Sequence, residues 1–253
     1  MHISKMGTGP DLVLVHGWSM HSGVWQKLAE GLASSFTLHL VDLPGHGHSH
    51  WHDGDFELDS LLARLAELTP EHAYWMGWSL GGGISLALAE RYPDKVSKLV
   101  LMAATPRFVR SDNWPCAMEA SIFENFAASL DCDQQQTLQR FLMLQAKGAE
   151  QSRETIRQLS EQLAAQHQPN PEALQAGLRL LLELDMRAAL ATVSCPVKLI
   201  LGQKDTLIPS SLAEAAKQLN PNVQVELIKG TGHAPFITQP TRCQQEIERF
   251  IHG

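Results

Sequence analysis

The chain has 253 residues, 44% of them hydrophobic and 19% charged, a balance that excludes a disordered tail and supports a single sizeable core. Twenty Lys and Arg stand against 27 Asp and Glu, a formal charge of −7, which is the wrong sign for a binder of phosphate backbones. No run approaches the roughly 18 apolar residues of a membrane helix, and the opening MHISKMGTGPD has no apolar signal region; a cytoplasmic protein with no nucleic-acid and no membrane partner is expected.

From Asp11 onward short apolar runs alternate with longer helical patterns, the signature of a mostly parallel sheet with crossover helices. The strand-like runs are DLVLVHG from Asp11, FTLHLVD from Phe36, AYWMGWS from Ala73, KLVLMAA from Lys98, VKLILGQ from Val197 and VQVELI from Val223. Their Val, Leu and Ile on both faces suit strands covered on both sides. Helical spacing is expected around 24–33, 58–68, 80–91, 211–219 and 241–251. Between Pro106 and Arg187 no credible strand appears. Apolar residues there recur at helical spacing, as in Phe123 and Phe126, Leu138 and Phe141, or Leu174, Leu178 and Leu181. A helical cap over 107–187, inserted into a core of 1–106 and 188–253, is the expected organisation. Cys116, Cys132, Cys195 and Cys243 lie too far apart for a CxxC pair or a zinc knuckle, so reduced thiols are expected.

Gly77-Trp78-Ser79-Leu80-Gly81 matches G-x-S-x-G and sits between a strand-like run and a helical pattern. That setting is the one a nucleophile elbow requires, because the turn is so sharp that small residues must flank the serine. A glycine turn carrying an incidental serine would not need it. A serine hydroxyl is too weakly acidic to attack an ester unaided, so a base must take its proton and a carboxylate must hold that base. Asp205, in the loop after VKLILGQ, is the expected acid. His233, in GTGHAPF after the last strand, is the expected base, and of the 12 histidines it alone has both the order and the setting. The oxyanion of a tetrahedral intermediate needs at least two preorganised donors. The N–H of Leu80 and the N–H of Trp18, in the His16-Gly17-Trp18 loop after the first core strand, are the candidates.

With HGW, GWSLG, LGQKD and GHAPF in that order, the chain resembles the α/β-hydrolases over nearly its whole length. HGWSMHSGVW, FTLHLVDLPGHGHS, WMGWSLGGG, RFLMLQAKG and GHAPFITQP together resemble the pimeloyl-acyl-carrier-protein methyl ester esterases of bacterial biotin synthesis. That resemblance implies hydrolysis of the methyl ester on the far carboxylate of a carrier-bound pimeloyl chain, releasing methanol without a cofactor. It implies catalysis by Ser79, Asp205 and His233. Substrate contacts would come from Trp18, Ser79, Leu80, Phe141, Leu142, Met143, Leu144, Gln145 and His233. It also implies that cap residues Arg140, Arg153 and Arg157 dock an acidic acyl-carrier protein, with Gln136 standing where the family has a basic residue; a monomer is expected. A broad short-chain esterase, or another serine hydrolase of the same fold, would share every catalytic motif. Trp18 and Trp78 are expected to wall an acyl pocket. The alternating His46, His48, His50 and His52 offer metal-type ligands, yet a serine esterase needs no metal and none is expected.

Overall fold

The computed structural model describes residues 1–253. Seven strands form one sheet: β1 (His2–Gly7), β2 (Asp11–Val15), β3 (Thr37–Asp42), β4 (Ala73–Trp78), β5 (Val96–Met102), β6 (Val197–Gly202) and β7 (Gln224–Ile228). Their spatial order is β1-β3-β2-β4-β5-β6-β7. Only β1 runs antiparallel, against β3; the other neighbours are parallel.

The helices are α1 (Gln26–Leu32), α2 (Leu58–Leu68), α3 (Leu80–Arg91), α4 (Ala120–Cys132), α5 (Gln134–Ala146), α6 (Ser152–Ala164), α7 (Pro171–Glu183), α8 (Arg187–Thr192), α9 (Leu212–Leu219), α10 (Pro235–Thr238) and α11 (Pro240–His252). A short 3-10 turn, Ser22–Trp25, precedes α1, where the sequence pattern suggested that the helix itself begins. Right-handed crossovers fix the layering. The chain steps from β2 outward to β3, then back past β2 to β4, so α1 lies on the opposite face from α2 and α3. In keeping with this, α1 packs with α10 and α11, while α3 packs with α2 and α8.

Strands β2, β4, β5 and β6 are buried along nearly their whole length, and α3 is buried at every residue from Leu80 to Ala89. Lys198 on β6 and Glu246 on α11 form a buried ion pair at 2.7 Å, and the second oxygen of Glu246 accepts from Arg249 at 2.6 Å. The charges are thus buried only with their partners satisfied. β1 is an element that the sequence pattern did not suggest. HISKMG has no apolar run, and none of its residues is fully buried; its pairing with β3 comes from the backbone. Between β5 and β6 the only regular elements are helices α4 to α8. No helix is long and apolar enough to cross a membrane.

Candidate active site

The step outward and back leaves a crevice at the carboxyl ends of β2 and β4, the place where open parallel sheets bind ligands. Val15 pairs with Gly77 across these strands, so the segments that follow, His16-Gly17-Trp18 and Trp78-Ser79, emerge side by side. A side chain added at Gly17 would lie 3.3 Å from Ser79 Cβ.

Ser79 turns the chain from β4 into α3 with φ 53° and ψ −117°, a backbone state that costs about 1–3 kcal/mol in a non-glycine residue. Its N–H donates to Met102 O at 3.1 Å, and its carbonyl accepts from Gly82 N at 2.9 Å. A Cβ at Gly77 would collide with the backbone of Gly81, and one at Gly81 with the carbonyls of Val15 and His16. The two glycines of the pentapeptide are therefore what lets α3 start directly beneath β2.

Beyond β6, Asp205 is locked in its loop: Oδ1 accepts from the N–H groups of Leu207 (2.8 Å) and Ile208 (3.0 Å). Its Oδ2 lies 2.7 Å from His233 Nδ1, with both side chains sealed from solvent. A carboxylate only accepts, so the imidazole proton sits on Nδ1 and Nε2 is left as a bare acceptor. Nε2 is buried and makes no hydrogen bond, to Ser79 Oγ or to anything else in the protein. The His233 backbone is held twice. Its N–H donates to Gln145 O of α5 at 2.9 Å, and its carbonyl accepts from Trp78 Nε1 at 2.8 Å.

The two backbone amides expected at the oxyanion are placed beside Ser79 by the chain itself. Leu80 opens α3, so its N–H has no intrahelical acceptor. Trp18 occupies a turn closed by Met20 N donating to Gly17 O at 3.3 Å, and its own N–H bonds to no backbone carbonyl.

Helices α4, α5 and α7 close over this crevice. The Trp18 ring meets Phe141 and Phe126 edge-on, with centroids 4.9 and 5.4 Å apart, and its Nε1 donates to Leu174 O at 2.8 Å. What remains beside Ser79 is a cavity of ≈ 10 Å³, bounded by Leu80, Ala104, Phe108, Leu181 and Ile208 among others. Phe141, Leu142 and Gln145 are buried and Leu144 half-buried. The side-chain amide of Gln145 is buried with neither its nitrogen nor its oxygen partnered.

One expectation needs correcting. Met143, in the segment expected to contact substrate, is 52% exposed on the outer side of α5, because the face carrying Phe141, Leu142 and Gln145 is turned inward. Trp78 does not wall the cavity. It packs at the foot of the site against Phe236 and Trp25, 5.1 and 6.3 Å between centroids, and braces His233. Periodicity could not have separated these roles, since both rest on which neighbour the side chain meets. The backbone bond from His233 to Gln145 carries no side-chain signal at all.

Arg140 and Arg153 are exposed and take part in none of the ion pairs. The guanidinium of Arg157 is instead committed to Glu154 and Glu161, both at 2.6 Å. Gln136 sits in the first turn of α5, its N–H donating to the Asp133 side chain that caps the helix. Of the alternating histidines, His46 is buried with Nδ1 on Pro44 O at 2.9 Å, while His48, His50 and His52 are exposed. No three His, Cys, Asp or Glu side chains gather as a metal-holding group.

A mostly parallel sheet with a strand-to-helix elbow at Ser79 defines the class: an α/β hydrolase. Residues 10–240 match the model of the alpha/beta hydrolase fold family. Over 251 residues the chain is 44% identical to the pimeloyl-[acyl-carrier protein] methyl ester esterase of Xanthomonas oryzae pv. oryzae, covering 99% of this chain and 98% of that protein. It is also 44% identical to the protein of the same name from Xylella fastidiosa, with the same coverage. The chain belongs to this esterase family. Among solved structures, a bromoperoxidase from Bacillus anthracis superposes with a TM-score of 0.89 at 21% identity, covering 99% of this chain and 95% of that one. An esterase from Exiguobacterium antarcticum does so with 0.87 at 19% identity, covering 100% and 95%. At these identities the likeness speaks for the fold alone.

Proposed function

We propose that the chain is a serine carboxylesterase that hydrolyses the methyl ester of a pimeloyl group carried by acyl-carrier protein. The name shared by its relatives supports the substrate, and the observation that carries the chemistry is the Asp205–His233 pair with Nε2 left free beside the elbow. Ser79 Oγ attacks the ester carbonyl as His233 Nε2 takes its proton, and Asp205 stabilises the imidazolium that forms. The carbonyl electrons collect on an oxygen facing the N–H groups of Trp18 and Leu80. Collapse breaks the bond to the methoxy group, which leaves as methanol with the proton from His233. Water then repeats the sequence on the acyl-serine and frees the carboxylate.

In this reading residues 107–187 form the cap and 1–106 with 188–253 the catalytic core. Trp18, Leu80, Phe141, Leu142, Leu144 and Gln145 line the path of the chain, and Arg140 and Arg153 meet the carrier. The reaction is placed in the cytoplasm and the working unit is a monomer. Incubation with the carrier-bound methyl ester, followed by intact mass, is expected to show loss of one methylene equivalent with the thioester preserved. Ser79→Ala should lower the rate by at least about 1000-fold with circular dichroism unchanged. Cleavage of soluble short esters but not of the carrier-bound ester would favour a broad esterase instead.

A further inference from the structure

His16 stands directly after β2, fully buried, and the reaction sequence above leaves it without a task. We propose that His16 is a positioning residue: it holds the oxygen of the Gly17–Trp18 peptide and thereby aims the Trp18 N–H at the developing oxyanion. The proposal rests on the reading of Ser79, Trp18 and Leu80 given above.

His16 Nε2 lies 3.0 Å from Leu43 N, and Nδ1 lies 2.8 Å from Gly17 O. A backbone N–H can only donate and a carbonyl can only accept, so one tautomer satisfies both contacts, with the proton on Nδ1. The alternative would set donor against donor and lone pair against lone pair. Burial, reinforced by His46 at 5.4 Å between centroids, pushes the His16 pKa down to about 3, so the ring stays neutral. Leu43 follows β3, which makes His16 a strut from one strand end to the loop of its neighbour.

The oxygen of Gly17 and the N–H of Trp18 belong to one planar trans peptide group and point in opposite directions. Fixing the first therefore fixes the second. The loop has little else to do this. Glycine leaves rotation of that peptide sterically cheap, and the only other donor to Gly17 O is Met20 N, at the longer distance of 3.3 Å. The turn is also under load: Ser19 has φ 65°, and its buried hydroxyl has no partner.

Two substitutions split the two contacts. In His16→Asn the amide nitrogen reaches the place of Nδ1 and keeps the donor to Gly17 O; in His16→Gln the side chain reaches Leu43 N as an acceptor but gives Gly17 O nothing. With a soluble ester, His16→Gln is expected to lose about 30- to 300-fold in kcat, a large part of the effect of deleting one oxyanion donor. KM should stay within about twofold. Butylboronic acid, which forms a tetrahedral anion on a serine nucleophile, should bind weaker by the same factor, while His16→Asn stays close to wild type in both measurements. Equal losses in the two variants, or losses that follow the melting temperature, would overturn the proposal and leave His16 a packing residue. Should His16→Gln fail to fold, nitrogen-15 NMR of the wild type decides: the Nδ1–H tautomer unchanged from pH 5 to 9 supports the strut, and Nε2–H or imidazolium overturns it. A Ser79→Ala protein that still hydrolyses ester and binds the boronate would place the failure in the serine reading instead.

Discussion

The strain at Ser79, φ 53°, and the two backbone N–H groups aimed at Asp205 Oδ1 show how single residues are held for one geometry. Asp205→Asn keeps the size and the loop contacts but offers His233 Nδ1 an amide group that donates as readily as it accepts. The tautomer with the proton on Nε2 then gains ground, and kcat is expected to fall on the order of 10³–10⁴-fold at little cost in stability. Turnover of a soluble ester by the folded variant checks this; wild-type kcat would remove Asp205 from the reaction. That Asp205 and His233 meet was legible because each follows a strand whose carboxyl end the sequence marks, in LGQKD and GTGHAPF. The side of α5 on which Met143 lies, and the neighbours of Trp78, were not legible, because a single residue's facing depends on atoms from remote segments.

Elements act on the site through their ends. β6 stops at Gly202, where a Cβ would collide with the Gly232 carbonyl, one residue before His233. Gly202→Ala must therefore separate the two loops that carry Asp205 and His233. A fall in kcat with a stability loss of about 2 kcal/mol or more is expected, read by turnover and by urea midpoint; an unaltered midpoint would mean the loops part freely. The helical stretch between β5 and β6 is tied at its two ends in another way. Asp185 bonds Arg107 at 2.5 Å and Arg187 at 2.6 Å, and the hydrogen bond from Arg187, assisted by that from Arg107, lowers its pKa to about 2. A carboxyl depressed in the folded state stabilises above its unfolded pKa of about 3.9 and loses that contribution as pH falls toward 2. Asp185→Asn should flatten the melting-temperature profile between about pH 4 and 2 while leaving ester turnover at neutral pH near wild type. Six of the seven strands were legible from apolar runs bounded by turn residues. β1 escaped because an edge strand pairs through its backbone and HISKMG buries little.

At the scale of the whole molecule, a net charge of −7 repels an acidic carrier, so any attraction must be local. Between residues 140 and 157 four basic side chains face two acidic ones, but the structure divides them. Arg157 lies between Glu154 and Glu161, and those hydrogen bonds raise its pKa well above the usual arginine value. Its charge is already answered within α6. Arg140 and Lys147, by contrast, rim an open groove of ≈ 560 Å³ whose floor includes Met143, Leu144 and Ile156, and Arg153 stands exposed on the next helix. The exposed Met143, which an inward-facing role would not explain, fits this surface. Reversing Arg140 and Arg153 to Glu is expected to raise KM for the carrier-bound ester about tenfold or more at low salt, and to make wild-type turnover the more salt-sensitive of the two. Hydrolysis of a small soluble ester should be unchanged, since both residues are exposed and neither lines the cavity beside Ser79. Arg157→Glu should behave differently, setting a third carboxylate beside Glu154 and Glu161 on one helix face. It should lower the melting temperature and leave KM for the carrier close to wild type. If Arg157→Glu raised KM as much as the double reversal, carrier binding would follow the total charge of the cap rather than the groove.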